Sequence, residues 1–177
     1  MYRMNKQYDV LLVDPPWQAG FKGLRKWKSE ITDKYQTLSL SEIGNIDVSS
    51  LAKNNCSLFL WCTHTTLPDA LVLMSTWGFK YHCTLTWDKG SGFSVAGFHR
   101  RTEFCLYGYK GKMNIKKRGK FIPTLIVEKR TVHSRKPTVL YDFIEQSFPN
   151  DRLELFARTK HPGWDVWGNE VECDVQL

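Results

Sequence analysis

Residues 8–17 read YDVLLVDPPW, a run from Tyr8 to Val13 closed by Asp14, Pro15, Pro16 and Trp17. Six mostly apolar residues ended by two prolines predict a buried strand, because proline lacks the N–H that would extend the ladder. Asp14 to Trp17 therefore occupies the carboxyl end of that strand. In an open α/β sheet, ligands bind beyond the carboxyl ends of the strands, so this is the first place to look for a site.

The flanking sequence supplies the rest of such a sheet. Ser39 to Leu51 contains helical stretches, with Ser39 and Ser41 as candidate N-caps, and Ser57 to Cys62 (SLFLWC) reads as a second buried strand. Leu67 to Gly78 predicts a helix, with Pro68 in its first turn and Gly78 at its end. Tyr81–Trp87 and Thr102–Tyr109 are rich in aromatic and β-branched residues and predict strands, with the Gly-rich stretch Gly90–Gly97 between them as a flexible loop. Further on, Leu125–Glu128, Leu153–Phe156 and Trp164–Trp167 read as short strands, and Pro137–Phe148 as a helix. Strands alternating with helices predict one α/β domain over residues 1–177, its sheet mostly parallel with helices on both faces.

Composition agrees with a globular chain of this kind. Of 177 residues, 42% are hydrophobic and 24% charged, a balance that can fill a core. With no apolar run of signal or membrane-span length, a cytoplasmic location and no membrane partner are expected. The five cysteines, Cys56, Cys62, Cys83, Cys105 and Cys173, have neither zinc-ribbon nor redox spacing, so reduced thiols and no metal are expected. Net charge is +7, and from Lys89 to Lys136 thirteen Lys and Arg face only Glu103 and Glu128. That regional excess is compatible with a polyanionic partner and equally with a solvated basic face.

The chemistry that Asp14-Pro15-Pro16-Trp17 suits is narrower. An exocyclic aromatic amine is a poor nucleophile because its lone pair is delocalised into the ring. Acceptors aimed at its N–H groups favour the pyramidal geometry that frees the pair. Asp14 offers a carboxylate oxygen, the rigid Pro-Pro backbone offers a carbonyl, and Trp17 offers a flat face for a base. A strand ending in an ordinary Asp-Pro turn would carry the same residues.

Five blocks then coincide in order: YDVLLVDPPW (8–17), YQTLSLSEI (35–43), LFLWCTHTTL (58–67), HSRKP (133–137) and RLELFARTKHPGWDVWGNE (152–170). On these the sequence resembles the adenine-N6 methyltransferases, the family of the catalytic subunit of the eukaryotic messenger-RNA methyladenosine writer, and is most similar to its small bacterial and phage branch. The resemblance implies a Rossmann-like, S-adenosylmethionine-dependent methyltransferase fold with circularly permuted motif order. It implies that Asp14, Pro15, Pro16 and Trp17 are catalytic and hold the target adenine. S-adenosyl-L-methionine is the implied cofactor. Asp14 would also lie near the donor's amino group, Lys136 would meet its carboxylate, and Arg158, Asn169 and Glu170 would bind its ribose and neighbouring groups. Gly168 would permit close backbone approach, and Tyr35 would flank the base or the cofactor. At Thr159, Lys160 and His161 the sequence departs from the His-Asn pair of eukaryotic members, so no donor role is carried over to them. Gly-x-Gly-x-x-Gly and P-loop motifs are absent, which removes two competing nucleotide-binding readings.

The implied substrate is nucleic acid, DNA ahead of RNA, with the adenine single-stranded or flipped out of a duplex. Phosphate contacts are expected from Lys116, Lys117 and Arg118, joined by Lys110, Lys112 and Lys120 and by Lys22, Arg25, Lys26 and Lys28 after the catalytic motif. A homodimer or a partner subunit is compatible with the resemblance. A non-catalytic nucleic-acid-binding subunit is the main rival, opposed by the presence of Asp14, Lys136, Asn169 and Glu170. Methylation of cytosine or of a protein glutamine is a third reading, opposed by Asp14 itself.

Overall fold

A computed structural model describes residues 6–18, 37–116, 121–129 and 135–177. Seven strands form one sheet: β1 (Tyr8–Val13), β2 (Ala52–Cys62), β3 (Lys80–Val95), β4 (Phe98–Lys110), β5 (Leu125–Val127), β6 (Arg152–Leu155) and β7 (Asp165–Trp167). Their order across the sheet is β5-β3-β4-β2-β1-β6-β7. Only the β2–β4 and β3–β4 pairs are antiparallel, so β4 alone runs against the other six. The largely parallel sheet expected from sequence is present, and β1 lies near its middle, flanked by β2 and β6.

Alternation along β1 divides the core in two. Leu11 and Val13 face a cluster that includes Ile43, Leu58, Leu60, Ala70, Leu73 and Met74. Val10 and Leu12 face the other, with Phe59, Trp61, Leu140, Ile144 and Phe148. The first cluster is covered by α1 (Leu40–Gly44) and α3 (Leu67–Thr76), the second by α4 (Thr138–Ser147); α2 (Val48–Leu51) leads directly into β2. Helices thus lie on both faces.

Local chemistry sets the helix ends. Ser39, not Ser41, caps α1 in a reciprocal capping box: Glu42 N–H donates to Ser39 Oγ at 3.3 Å, and Ser39 N–H donates to Glu42 Oε2 at 2.7 Å. The helical stretches expected between 39 and 51 are two short helices, and Asp47 starts the second, α2, by accepting from Ser50 N–H at 3.1 Å. Pro68 sits in the first turn of α3, and Gly78 just past its end has φ +81°.

One expectation is overturned. The Gly90–Gly97 stretch is not a loop between two short strands; it lies within a long hairpin whose register pairs Phe93 with Arg100 and Val95 with Phe98. The turn is the two residues Ala96 (φ 50°) and Gly97 (φ 83°), both left-handed as a type I′ connection requires. Gly92 makes the pairing sterically feasible, because a Cβ there would collide with the Arg100 carbonyl across the bulge.

Candidate active site

Val13 of β1 is level with Leu60 of β2 and Leu155 of β6, and Leu155 is level with Trp167 of β7. Trp61, Asp14, Phe156 and Gly168 therefore follow one another along the carboxyl edge of the sheet. The Pro-Pro step is held from both sides: Trp17 N–H donates to the Pro15 carbonyl at 2.8 Å, and Leu38 N–H donates to the Pro16 carbonyl at 2.8 Å. The Trp17 indole is fixed by its own N–H, which donates to the Trp61 carbonyl at 2.9 Å.

Beside Asp14 lies an alternating chain of charges. Lys136 Nζ stands 3.0 Å from Asp14 Oδ2 and 3.2 Å from Glu103 Oε2, and Glu103 Oε1 also meets Lys89 Nζ at 2.9 Å. Lys136 lies two residues before α4, next to its N-cap Pro137, while Glu103 comes from the reversed strand β4, so the crossover brings together groups distant in sequence. The ammonium also lies 5.1 Å from the Trp61 ring centroid. Burial alone would lower the Lys136 pKa, but Asp14 and Glu103 outweigh it and hold the group charged above the ordinary lysine value. Burial likewise opposes ionisation of Glu103, and Lys136 and Lys89 overcome it, leaving this carboxyl below its usual range.

The cleft floor adds a second carboxyl. Asp14, Arg135, Lys136, Tyr141, Glu154, Phe156 and Arg158 line a cavity of about 490 Å³. Burial pushes Glu154 up to about 7, against the hydroxyl of Tyr141, which donates to Glu154 Oε1 at 3.0 Å. Phe156 has φ +63°, an uncommon conformation for a bulky residue, and its ring packs edge-on against Trp167 at 5.3 Å.

A family model described as MT-A70 matches residues 8–170. The chain belongs to the MT-A70 family. Among its relatives, the type II methyltransferase M.MunI of a Mycoplasma species is 34% identical over 94% of this chain and 78% of its own length. The human N(6)-adenine-specific methyltransferase METTL4 is 30% identical over 94% of this chain and 38% of its own length. The Xenopus tropicalis METTL14, an N(6)-adenosine-methyltransferase non-catalytic subunit, is 26% identical over 91% of this chain and 39% of its own length.

Within this MT-A70 chain, Asp14, Lys136 and Arg158 come together on one cleft. Asn169 and Glu170 are exposed just past β7 and do not line the cleft, though Glu170 forms an ion pair at 3.6 Å with Arg158, which does. Gly168 lies against Ala157, whose carbonyl a Cβ would strike. Lys116 is not brought to the cleft. Its N–H donates to the Ser147 carbonyl at the far end of α4, and the neighbouring Asn114 donates to the Asp9 carbonyl at 2.8 Å, at the amino end of β1. Lys110 is likewise turned toward Ser49, 3.1 Å from its Oγ. Tyr35, Lys117, Arg118 and Lys120 lie outside the described residues, as do Lys22, Arg25, Lys26 and Lys28.

Sequence reasoning missed Glu103, Glu154, Tyr141 and Phe156. Each is a single residue within a strand or helix, or just beyond one, and carries no motif. Glu154, an acid inside the apolar run LELF, was the one legible signal, since an acid there is rarely buried without a reason. Among the described residues, no helix is long and apolar enough to cross a membrane, and no three His, Cys, Asp or Glu are grouped to hold a metal ion.

Proposed function

We propose that this chain transfers the methyl group of S-adenosyl-L-methionine to the exocyclic N6 amine of adenine in DNA. As an MT-A70 member it is an adenine methyltransferase, and its relative spanned at 78% of its length is a type II methyltransferase, which favours DNA as the polymer. The observation that carries the proposal is the 3.0 Å pairing of Asp14 with Lys136 at the carboxyl edge of the sheet, on the wall of a cavity large enough for a nucleoside-sized donor.

The residues present fit that donor. A charged, largely buried ammonium at Lys136 suits a carboxylate, Asp14 suits an amino group, and Arg158, Asn169 and Glu170 suit vicinal hydroxyls. Bound S-adenosylmethionine supplies a methyl group on a sulfonium, already an able leaving group. Asp14 then has to accept an N–H of the adenine amine and localise its lone pair, while Trp17, immobilised by the Trp61 carbonyl, presents a ring face to the base. The Pro15 carbonyl retains a second lone pair after taking the Trp17 amide, and it is the second acceptor for that amine.

Nucleoside mass spectrometry decides the matter. The native protein and its Asp14→Ala variant are incubated with S-adenosylmethionine and matched single-stranded DNA, duplex DNA and RNA. N6-methyladenine from DNA with the native protein alone is the expected result. Product only from RNA would move the substrate to that polymer, and no product from any of them would refute the proposal.

A further inference from the structure

The β3–β4 hairpin carries a feature that the transfer reaction does not use. Both β2 and β3 are antiparallel to β4, so β3 runs in the direction of β1 and β2; β2 stops at Cys62, opposite Phe104, while β3 continues to Val95. The excess forms a two-stranded arm rising from the carboxyl edge, on the side of the sheet where Asp14 lies. From Glu103, which touches Lys136, to Phe98 is five residues of strand, about 17 Å. No residue from Lys89 to Arg101 is buried, and Phe98 at the tip is 73% exposed.

The arm's base is tied down by ion pairs, and nearer the tip Ser94 Oγ meets His99 Nδ1 at 3.1 Å. Asp88 pairs with Arg101, and Lys89 with Glu103, so both acids on the arm are neutralised at its root. Arg100 and Lys89 reinforce burial in pushing the pKa of nearby His64 down, which marks positive potential on the face toward β2. Above the root, residues 90–100 contain Arg100 and no acid. An exposed aromatic at the end of an arm that carries Arg100 and rises beside the cleft has a definite use. A target base leaving a duplex must be unstacked, and an apolar side chain inserted between base steps stabilises the opened state.

Resting on the reading of DNA adenine as substrate, we propose that this hairpin is a duplex-DNA wedge, with Phe98 entering the stack vacated by the target adenine and Arg100 contacting the adjoining phosphates. A second copy of the chain fits the tip less well. The large apolar side chains exposed there are Phe93 and Phe98, short of the ~800 Å² per partner that a stable dimer buries.

The test compares methyl transfer to genomic DNA of an adenine-methylation-deficient bacterium, native and heat-denatured, by the native protein, F98A and F98W. Donor binding is followed by calorimetry and association by sedimentation. F98A is expected to lose on the order of tenfold in kcat/KM on native DNA and to stay within about twofold on denatured DNA, with F98W restoring most of the loss. Donor affinity and sedimentation should not change. Equal losses on the two DNAs would overturn the wedge, as would a dimer in the native protein that F98A dissociates. Failure of the native protein to methylate either DNA would instead refute the substrate reading itself, and the wedge with it.

Discussion

Lys136→Met removes one charge from the chain Asp14–Lys136–Glu103–Lys89 and keeps an apolar stem over the Trp61 ring. Removing one partner of a buried ion pair costs about 3–5 kcal/mol, because the other is left desolvated and unpaired. Here the side chains of Lys136, Asp14 and Glu103 are 12%, 27% and 20% exposed, and Glu103 keeps Lys89 at 2.9 Å. Partial solvation and that surviving partner reduce the expected loss to about 2–3 kcal/mol. The pH dependence follows from the directions of the shifts. Glu103 is depressed, so its contribution is present above its unfolded value and disappears as pH falls through its folded pKa. Lys136 is raised, so its contribution is present below the unfolded lysine value and is lost only as pH rises through the folded pKa. Urea unfolding of both proteins across pH should therefore show the full gap from about pH 5 to about pH 10, narrowing in acid. A gap under about 1 kcal/mol, or one unchanged from neutral pH to pH 3, would refute a mutually stabilising charge chain. Donor affinity should fall roughly tenfold to a hundredfold in the same variant, by loss of a charge-assisted bond.

Glu154→Gln keeps an acceptor for Tyr141 and removes the ionisation that burial disfavours. Since the Glu154 pKa is raised to about 7, native stability is highest below its unfolded value and declines as pH rises through 7. In urea unfolding the variant should nearly match the native stability near pH 5 and exceed it at pH 8 by on the order of 2–3 kcal/mol; equal offsets at both pH values would contradict this. Trp17→Phe loses the bond to the Trp61 carbonyl, about 1 kcal/mol of stability, and should lower kcat well beyond that by freeing the ring; an unchanged kcat would show that indole orientation is irrelevant. Gly168→Ala drives a methyl into the Ala157 carbonyl, and about 1–3 kcal/mol of destabilisation with weaker donor binding should follow, an expectation that a normal Tm and titration would defeat.

Several elements were legible because their causes are local. Tyr8–Val13 is strand to the residue, since two prolines end the ladder where the apolar run ends. Ser39 with Glu42 announces α1, and Gly78 closes α3 because a left-handed position there favours a residue without Cβ. The hairpin was not legible, because the strongest short signal for such a turn is Asn-Gly and this chain has Ala96-Gly97. Ala96 is held left-handed by strand pairing on either side of the turn, which no window of sequence displays.

The sequence by itself determined the α/β class, the strand Tyr8–Val13 with its Asp-Pro-Pro-Trp terminus, and the family, all of which follow from short-range patterns or from matching blocks that occur in order along the chain. Only the tertiary structure decided which charges meet. Asp14, Glu103 and Lys136 are far apart in the chain, and they touch because β4 runs backwards beside β2 and α4 begins over the same edge. The same topology turns Lys110 and Lys116 toward the amino end of the sheet and raises the Phe98 arm from the carboxyl end. Strand direction, which sequence periodicity leaves open, sets the end of the sheet at which a side chain acts.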